Sequence, residues 1–167
     1  MKRLVTLLLL CCIAALSLKG QDIPGTKLSD ASGRTVTTAS LIDHKTPFVI
    51  SMWMTTCKPC LKELEAVMDE AAGWDGDFPL RVYAVSVDDS RSLQRAIAMS
   101  KAWEGVTPLF DPNGDLRRAL NVSAVPQVFV YDKDGNLYHT HIGYRPGDEL
   151  QLLDTLRKCA SKGGSLR

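Results

Sequence analysis

The sequence predicts an α/β protein, a central mixed sheet flanked by helices with an N-terminal β-hairpin extension, and three observations carry the prediction. Phe48 to Trp53 and Leu80 to Val87 are near-continuous apolar runs, as expected of strands buried on both faces, and each leads into a stretch of helical periodicity. Strand and helix in alternation indicate parallel pairing with right-handed crossovers. A later strand is led by Pro126 and ends in the turn Asp132-Lys133-Asp134-Gly135, which brings the chain back antiparallel. Between the first strand and its helix stands Cys57-Lys58-Pro59-Cys60, a cysteine pair two residues apart.

The 167 residues suit one domain with a small appendage. Met1-Lys2-Arg3 followed by an apolar run from Leu4 to Leu18 reads as a secretory signal peptide, too short to span a bilayer comfortably, so residues 1–20 are set apart from a domain at 21–167 whose core covers about 23–160. Ala15-Leu16-Ser17 fits the small-x-small cleavage rule. Cys11 and Cys12 lack the small preceding residue of a lipobox; an uncleaved membrane anchor is an alternative. The leader implies an extracytoplasmic, periplasmic location. The formal net charge of +1 gives no reason to expect nucleic acid as a partner.

Taken in order, Thr26 to Thr37 is turn-rich around Gly33 and reads as a hairpin, with Ser40 to Asp43 a helical turn. The strand at Phe48 to Trp53 precedes a helix with Leu61, Leu64, Met68 and Ala71 inward, Val67 and Cys60 beside them, and Gly73 at its end. Pro59 falls in the first turn, where a missing N–H costs little, and its rigidity helps fix the sulfurs. The strand at Leu80 to Val87 runs into Asp88-Asp89-Ser90, a polar stop before a helix from about Arg91 to Trp103. Thr107 to Gly114 reads as a loop and Asp115 to Leu120 as a short helix. The Pro126 strand follows, with a cis Val125–Pro126 bond as a hypothesis. Leu137 to Tyr144 returns, and a helix from Gly147 to Cys159 closes the chain with Leu152, Leu153, Leu156 and Ala160 inward.

The cysteine pair carries the chemistry. A thiolate is the reactive species, and a helix N-terminus favours negative charge through its unpaired N–H groups and its dipole. Cys57 stands there, with Cys60 just under one turn on and within disulfide reach. Zinc wants about four ligands, and no second Cys-X-X-Cys exists. Cys159 would be a semi-buried, unpaired thiol. Trp53, Trp74 and Trp103 read as core or rim packing.

This order of elements, with Phe48 to Cys60, Val82 to Asp88, Val122 to Asp132 and Gly143, resembles the thioredoxin fold, and most closely the exported TlpA/ResA-like group of thiol–disulfide oxidoreductases. The resemblance implies that Cys57 is the nucleophile and Cys60 the resolving thiol. It implies that Pro126 is a cis-proline packed on the disulfide, with Val125 offering backbone hydrogen bonds to a substrate chain. Glu63 matches an acidic position near the active site, either a solvated acid or a partly buried one that moves protons for Cys60. Three residues depart from the group: Thr56 where Trp is frequent, Gln127 where Thr is frequent, and Lys58, a cation that would stabilise the Cys57 thiolate and make the protein more oxidising.

The expectation is an exported enzyme that reduces disulfides in extracytoplasmic proteins, an apocytochrome c among the candidates. It would work as a monomer, need no cofactor or metal, and draw electrons from a membrane thiol carrier. Two alternatives have residues behind them. His139 and His141 share one side of a strand and motivate a copper-binding reading. A peroxiredoxin shares the fold, but needs Thr or Ser where this chain has Met54.

Overall fold

The computed structural model describes residues 22–163; the signal-peptide and cleavage expectations fall on residues outside that range. Strands β1 (Lys27–Ser29) and β2 (Thr35–Thr37) form the hairpin, and a 3₁₀ turn at Thr38–Leu41 replaces the helical turn expected at 40–43. Strand β3 (Phe48–Trp53) leads to helix α1 (Lys58–Ala72), β4 (Val82–Ser86) to α2 (Leu93–Ser100), and β5 (Thr107–Phe110) to α3 (Asp115–Ala119). Strands β6 (Gln127–Tyr131) and β7 (Leu137–Ile142) precede the last helix, α4 (Asp148–Gly163). The seven strands lie in one sheet in the order β2-β1-β5-β4-β3-β6-β7. Pairing is parallel from β3 through β4 to β5 and antiparallel at β6 and β7, so the sheet is mixed as expected.

Burial explains why β3 reads as an unbroken apolar run. Every residue of it is buried, and alternate side chains enter two different cores. Val49 and Trp53 face the side covered by α1 and α4, where Leu64, Val67, Leu152, Leu156 and Cys159 pack. Phe48, Ile50 and Met52 face the other side, with Leu28, Leu41, Leu116 and Phe129. Trp53 stacks obliquely on Trp103, ring centroids 4.7 Å apart, and Phe48 on Tyr131 at 5.3 Å. The hairpin extension is part of the sheet, because Ser29 pairs with Phe110.

Several sequence expectations need correction. Thr107 to Phe110 is a strand, not a loop: it pairs with β4 over four residues but with β1 only at Phe110, so Pro108, which has no N–H, lies ahead of the β1 pairing. The stripe of α1 is rotated, with Cys60, Glu63, Leu64 and Val67 buried while Leu61 and Met68 are only partly covered. Helix α2 starts later than 91 because the Asp89 carboxylate accepts the N–H groups of Arg91 and Ser92 and holds them in a turn, and it ends at Ser100, ahead of 103. Strand β7 stops at Ile142, where Gly143 takes φ +84° and donates its N–H to the Pro126 carbonyl. In α4, Cys159 is the residue fully inside and Ala160 only half so. Burial pushes the Cys159 thiol up to about 11, which leaves it unreactive near neutral pH.

Candidate active site

Cys57 is the N-cap of α1, with extended backbone (φ −89°, ψ 95°), and the Cys60 N–H points at its Sγ from 3.2 Å. Pro59 occupies the first turn, where no helical N–H is needed. The two cysteines are joined in a disulfide with Cα atoms 5.3 Å apart. Cys60 is completely buried whereas Cys57 is only half covered, so a partner sulfur can approach Cys57 alone. Lys58, Pro59 and Thr56 are exposed around it.

Across from the disulfide, the Val125–Pro126 bond is cis. The Val125 carbonyl oxygen lies 3.7 Å from Cys57 Sγ, and Pro126 is buried beside it. The structure therefore brings together four of the residues singled out from the sequence: Cys57, Cys60, Val125 and Pro126. Gln127 is buried at the start of β6, its amide donating to Thr140 Oγ1 at 3.4 Å. Its register partner on β7 is Ile142, which is 56% exposed.

Glu63 belongs to the interior. It is 3% exposed, one turn past Cys60 on the same buried face of α1. Burial raises its carboxyl to about 7, against a hydrogen bond from Ser51 Oγ at 3.1 Å that favours the charged form; the Asp148 and Glu149 carboxylates push further upward. It opens onto a cavity of about 120 Å³ lined also by Val128, His139, His141, Asp148 and Glu149. The two histidines thus face Glu63, and His141 Nε2 is 3.3 Å from Asp148 Oδ2. Among the described residues, no group of three or more metal-type side chains is arranged to hold a metal ion, so the copper-binding reading finds no ligand set there.

One residue of the site was missed in the sequence. Asp88 reads there as a polar stop, but its carboxylate is buried and accepts the Thr55 N–H, the Thr55 hydroxyl and the Ser86 hydroxyl, each at 2.8 Å. It anchors the turn that delivers Cys57, whose N–H is bonded to the Met54 carbonyl. The available signal is the spacing Ser86, Asp88: two polar residues on one side of an otherwise buried strand end. Asp88→Ala strands three buried donors and is expected to destabilise the fold by about 2–4 kcal/mol in urea unfolding. A loss below about 0.5 kcal/mol would mean that water satisfies the turn.

The chain is similar to several known proteins. A thioredoxin-like protein from Porphyromonas gingivalis is 37% identical and superposes with a TM-score of 0.70 over 84% of this chain and 93% of that one. The pneumococcal exposed lipoprotein thioredoxin of Streptococcus pneumoniae shares the fold, with a TM-score of 0.64 at 21% identity over 81% of this chain and 99% of that one. The thiol:disulfide interchange protein DsbE of Yersinia pestis is 30% identical over 129 residues, 76% of this chain; the chain spans 65% of the length of that relative. These findings bear out the thioredoxin fold and the resemblance read from the sequence. The sequence profile of the AhpC/TSA family matches residues 19–140, a stretch that holds the cysteine pair, Glu63 and the cis-proline together, and the chain belongs to the AhpC/TSA family.

Proposed function

We propose that this chain is an exported thiol–disulfide oxidoreductase that reduces disulfides in extracytoplasmic proteins. The observation that carries the reading is the asymmetric pair: half-covered Cys57 at a helix N-cap, bonded to fully buried Cys60. In the reduced protein, the Cys60 N–H and the helix N-terminus stabilise a Cys57 thiolate, with Lys58 adding a cation nearby. That thiolate attacks a substrate disulfide, one substrate sulfur leaves as a thiolate, and a mixed disulfide forms. Cys60 gives its proton to the Glu63 carboxylate and attacks Cys57 Sγ; the Cys57–Cys60 bond closes and the second substrate thiolate leaves. Two electrons pass to the substrate, and no organic cofactor or metal takes part.

Val125 and Pro126 hold the substrate chain beside the sulfur, and Ile142 supplies apolar contact on a surface where Thr56 replaces the frequent Trp. Export rests on the basic and apolar start of the chain, followed by a single domain at 21–167. The Yersinia pestis relative is named a thiol:disulfide interchange protein, which supports disulfide-containing proteins as partners; in this reading an exported apocytochrome c is one such substrate and a membrane thiol the electron donor. The protein works as a monomer. Its reduction potential tests the direction: a value near about −270 mV, the thioredoxin range, is expected, whereas one near about −120 mV would mark an oxidant. Consumption of hydrogen peroxide by the reduced protein, with no disulfide reduction, would replace this reading with a peroxidatic one.

A further inference from the structure

The cavity beside Glu63 is built by register. Ser51 of β3 pairs with Val128 of β6, and Val128 pairs with His141 of β7. Side chains directly opposite in a sheet point to one face, and Ser51 points at Glu63, so His141 stands on the Glu63 side at the end of that row. His139, two residues earlier, lines the same cavity. Helix α4 closes it with Asp148 and Glu149 in its first turn. The volume of about 120 Å³ is several times the roughly 10–15 Å³ that one water needs, so the gap between Glu63 and its charged neighbours has room for water.

The groups around that gap differ in how free they are. From β3 comes the Ser51 hydroxyl, and from β6 the uncharged Val128. Glu149 is held by the Tyr144 hydroxyl at 3.0 Å and the Gly147 N–H at 2.9 Å. Asp148 Oδ2 accepts the Arg145 N–H at 2.7 Å and faces His141 Nε2 at 3.3 Å. His139 and His141 are the two imidazoles on the ring, and His141 is the one that faces a carboxylate, Asp148, at hydrogen-bond range. With His141 protonated the Asp148 charge is balanced; with His141 neutral it acts on Glu63 unopposed.

We propose that His141 and Asp148 are a positioning pair for Glu63, whose joint charge across the cavity decides whether Glu63 holds a proton when Cys60 resolves the mixed disulfide. Asp148 keeps the proton on Glu63 and protonated His141 releases it. The use made of that proton rests on the redox reading above; the charge coupling does not.

The test is a ¹³C NMR titration of the Glu63 side-chain carboxyl in the oxidised full chain. Asp148→Asn is expected to lower its midpoint by about half a pH unit or more, and His141→Gln to raise it by a similar amount. Both side chains are partly exposed, so both variants fold. A merely structural role would loosen the cavity, hydrate Glu63 and lower both midpoints, so opposite signs support the pair; two unmoved midpoints, or two falling together, overturn it. The pH at which the Cys57–Cys60 reduction potential changes slope should move with the midpoint in each variant, and a potential curve indifferent to both overturns the link to Cys60. A native protein without Cys57-dependent exchange would instead sink the redox reading while leaving the titration result intact.

Discussion

Cys57→Ser is expected to abolish disulfide reduction, with a loss of about a thousandfold or more, because a serine hydroxyl does not ionise near neutral pH and cannot be the attacking group. Cys60→Ser should behave differently. Its Cys57 is still half-covered at the helix N-cap, so the first attack proceeds, but nothing then displaces the substrate, and the mixed disulfide accumulates. Mass spectrometry of each variant after exposure to a model protein disulfide reads both outcomes: an adduct on Cys57 in Cys60→Ser, and none in Cys57→Ser. Full turnover by Cys57→Ser, or an adduct on Cys60, would overturn the assignment of roles. Burial makes the prediction one-sided, since Cys60 has no exposed surface for a partner sulfur to meet.

The second large effect is on stability and concerns Glu63→Gln. The Glu63 carboxyl titrates at an ordinary 4.5 in the unfolded chain and at about 7 in the folded protein, through burial first. Between those values the folded state binds more protons than the unfolded one, so stability falls as pH rises through that window. The full loss, reached above pH 7, is on the order of 3 kcal/mol, since each pH unit separating the two values is worth roughly 1.4 kcal/mol. A glutamine side chain at this position would keep an acceptor for the Ser51 hydroxyl and carry no charge at any pH. The variant should therefore match the native protein near pH 4.5 and exceed its stability by about 2–3 kcal/mol at about pH 8. Urea unfolding of both oxidised proteins at about pH 4.5, 6 and 8 checks this, because other titrating groups cancel in the difference. Equal pH profiles would mean a hydrated carboxylate and would remove the basis for Glu63 as proton acceptor. A stabilising substitution here is a cost to function if Glu63 moves the Cys60 proton, and the same variant should resolve mixed disulfides more slowly.

Much of this architecture is legible before folding is considered. Phe48 to Trp53 matches β3 residue for residue, because a strand buried on both faces reads as an apolar run, broken here only by Ser51 in its interior. Gly73 ends α1, and the Asp132 to Gly135 turn joins β6 to β7 with Gly135 at φ +86°, a local backbone preference of glycine. Strand β5 is not legible in this way because its four residues hold Pro108 and run straight into the turn formers Asp111-Pro112-Asn113-Gly114, and only the edge of β4 makes them a strand. The inward face of α1 differs by one position from the one its apolar period indicates. Its stripe is set by where α4 and β3 lie, and Glu63 goes in with Cys60 although its charge argues for solvent.

The sequence alone determined the reactive pair, its place at the head of a helix, and the fold that presents it, because spacing, apolar period and turn residues act over a few neighbouring positions. Tertiary structure decided which sulfur is reachable, and brought the Val125 carbonyl to 3.7 Å from Cys57 across 68 residues of chain. It also gave Asp88 the task of anchoring Thr55 and gathered Glu63, His141 and Asp148 around one cavity. Those are matters of burial and of contact between distant segments: the field at a carboxylate depends on how much water the fold removes and on which charges it brings across the gap.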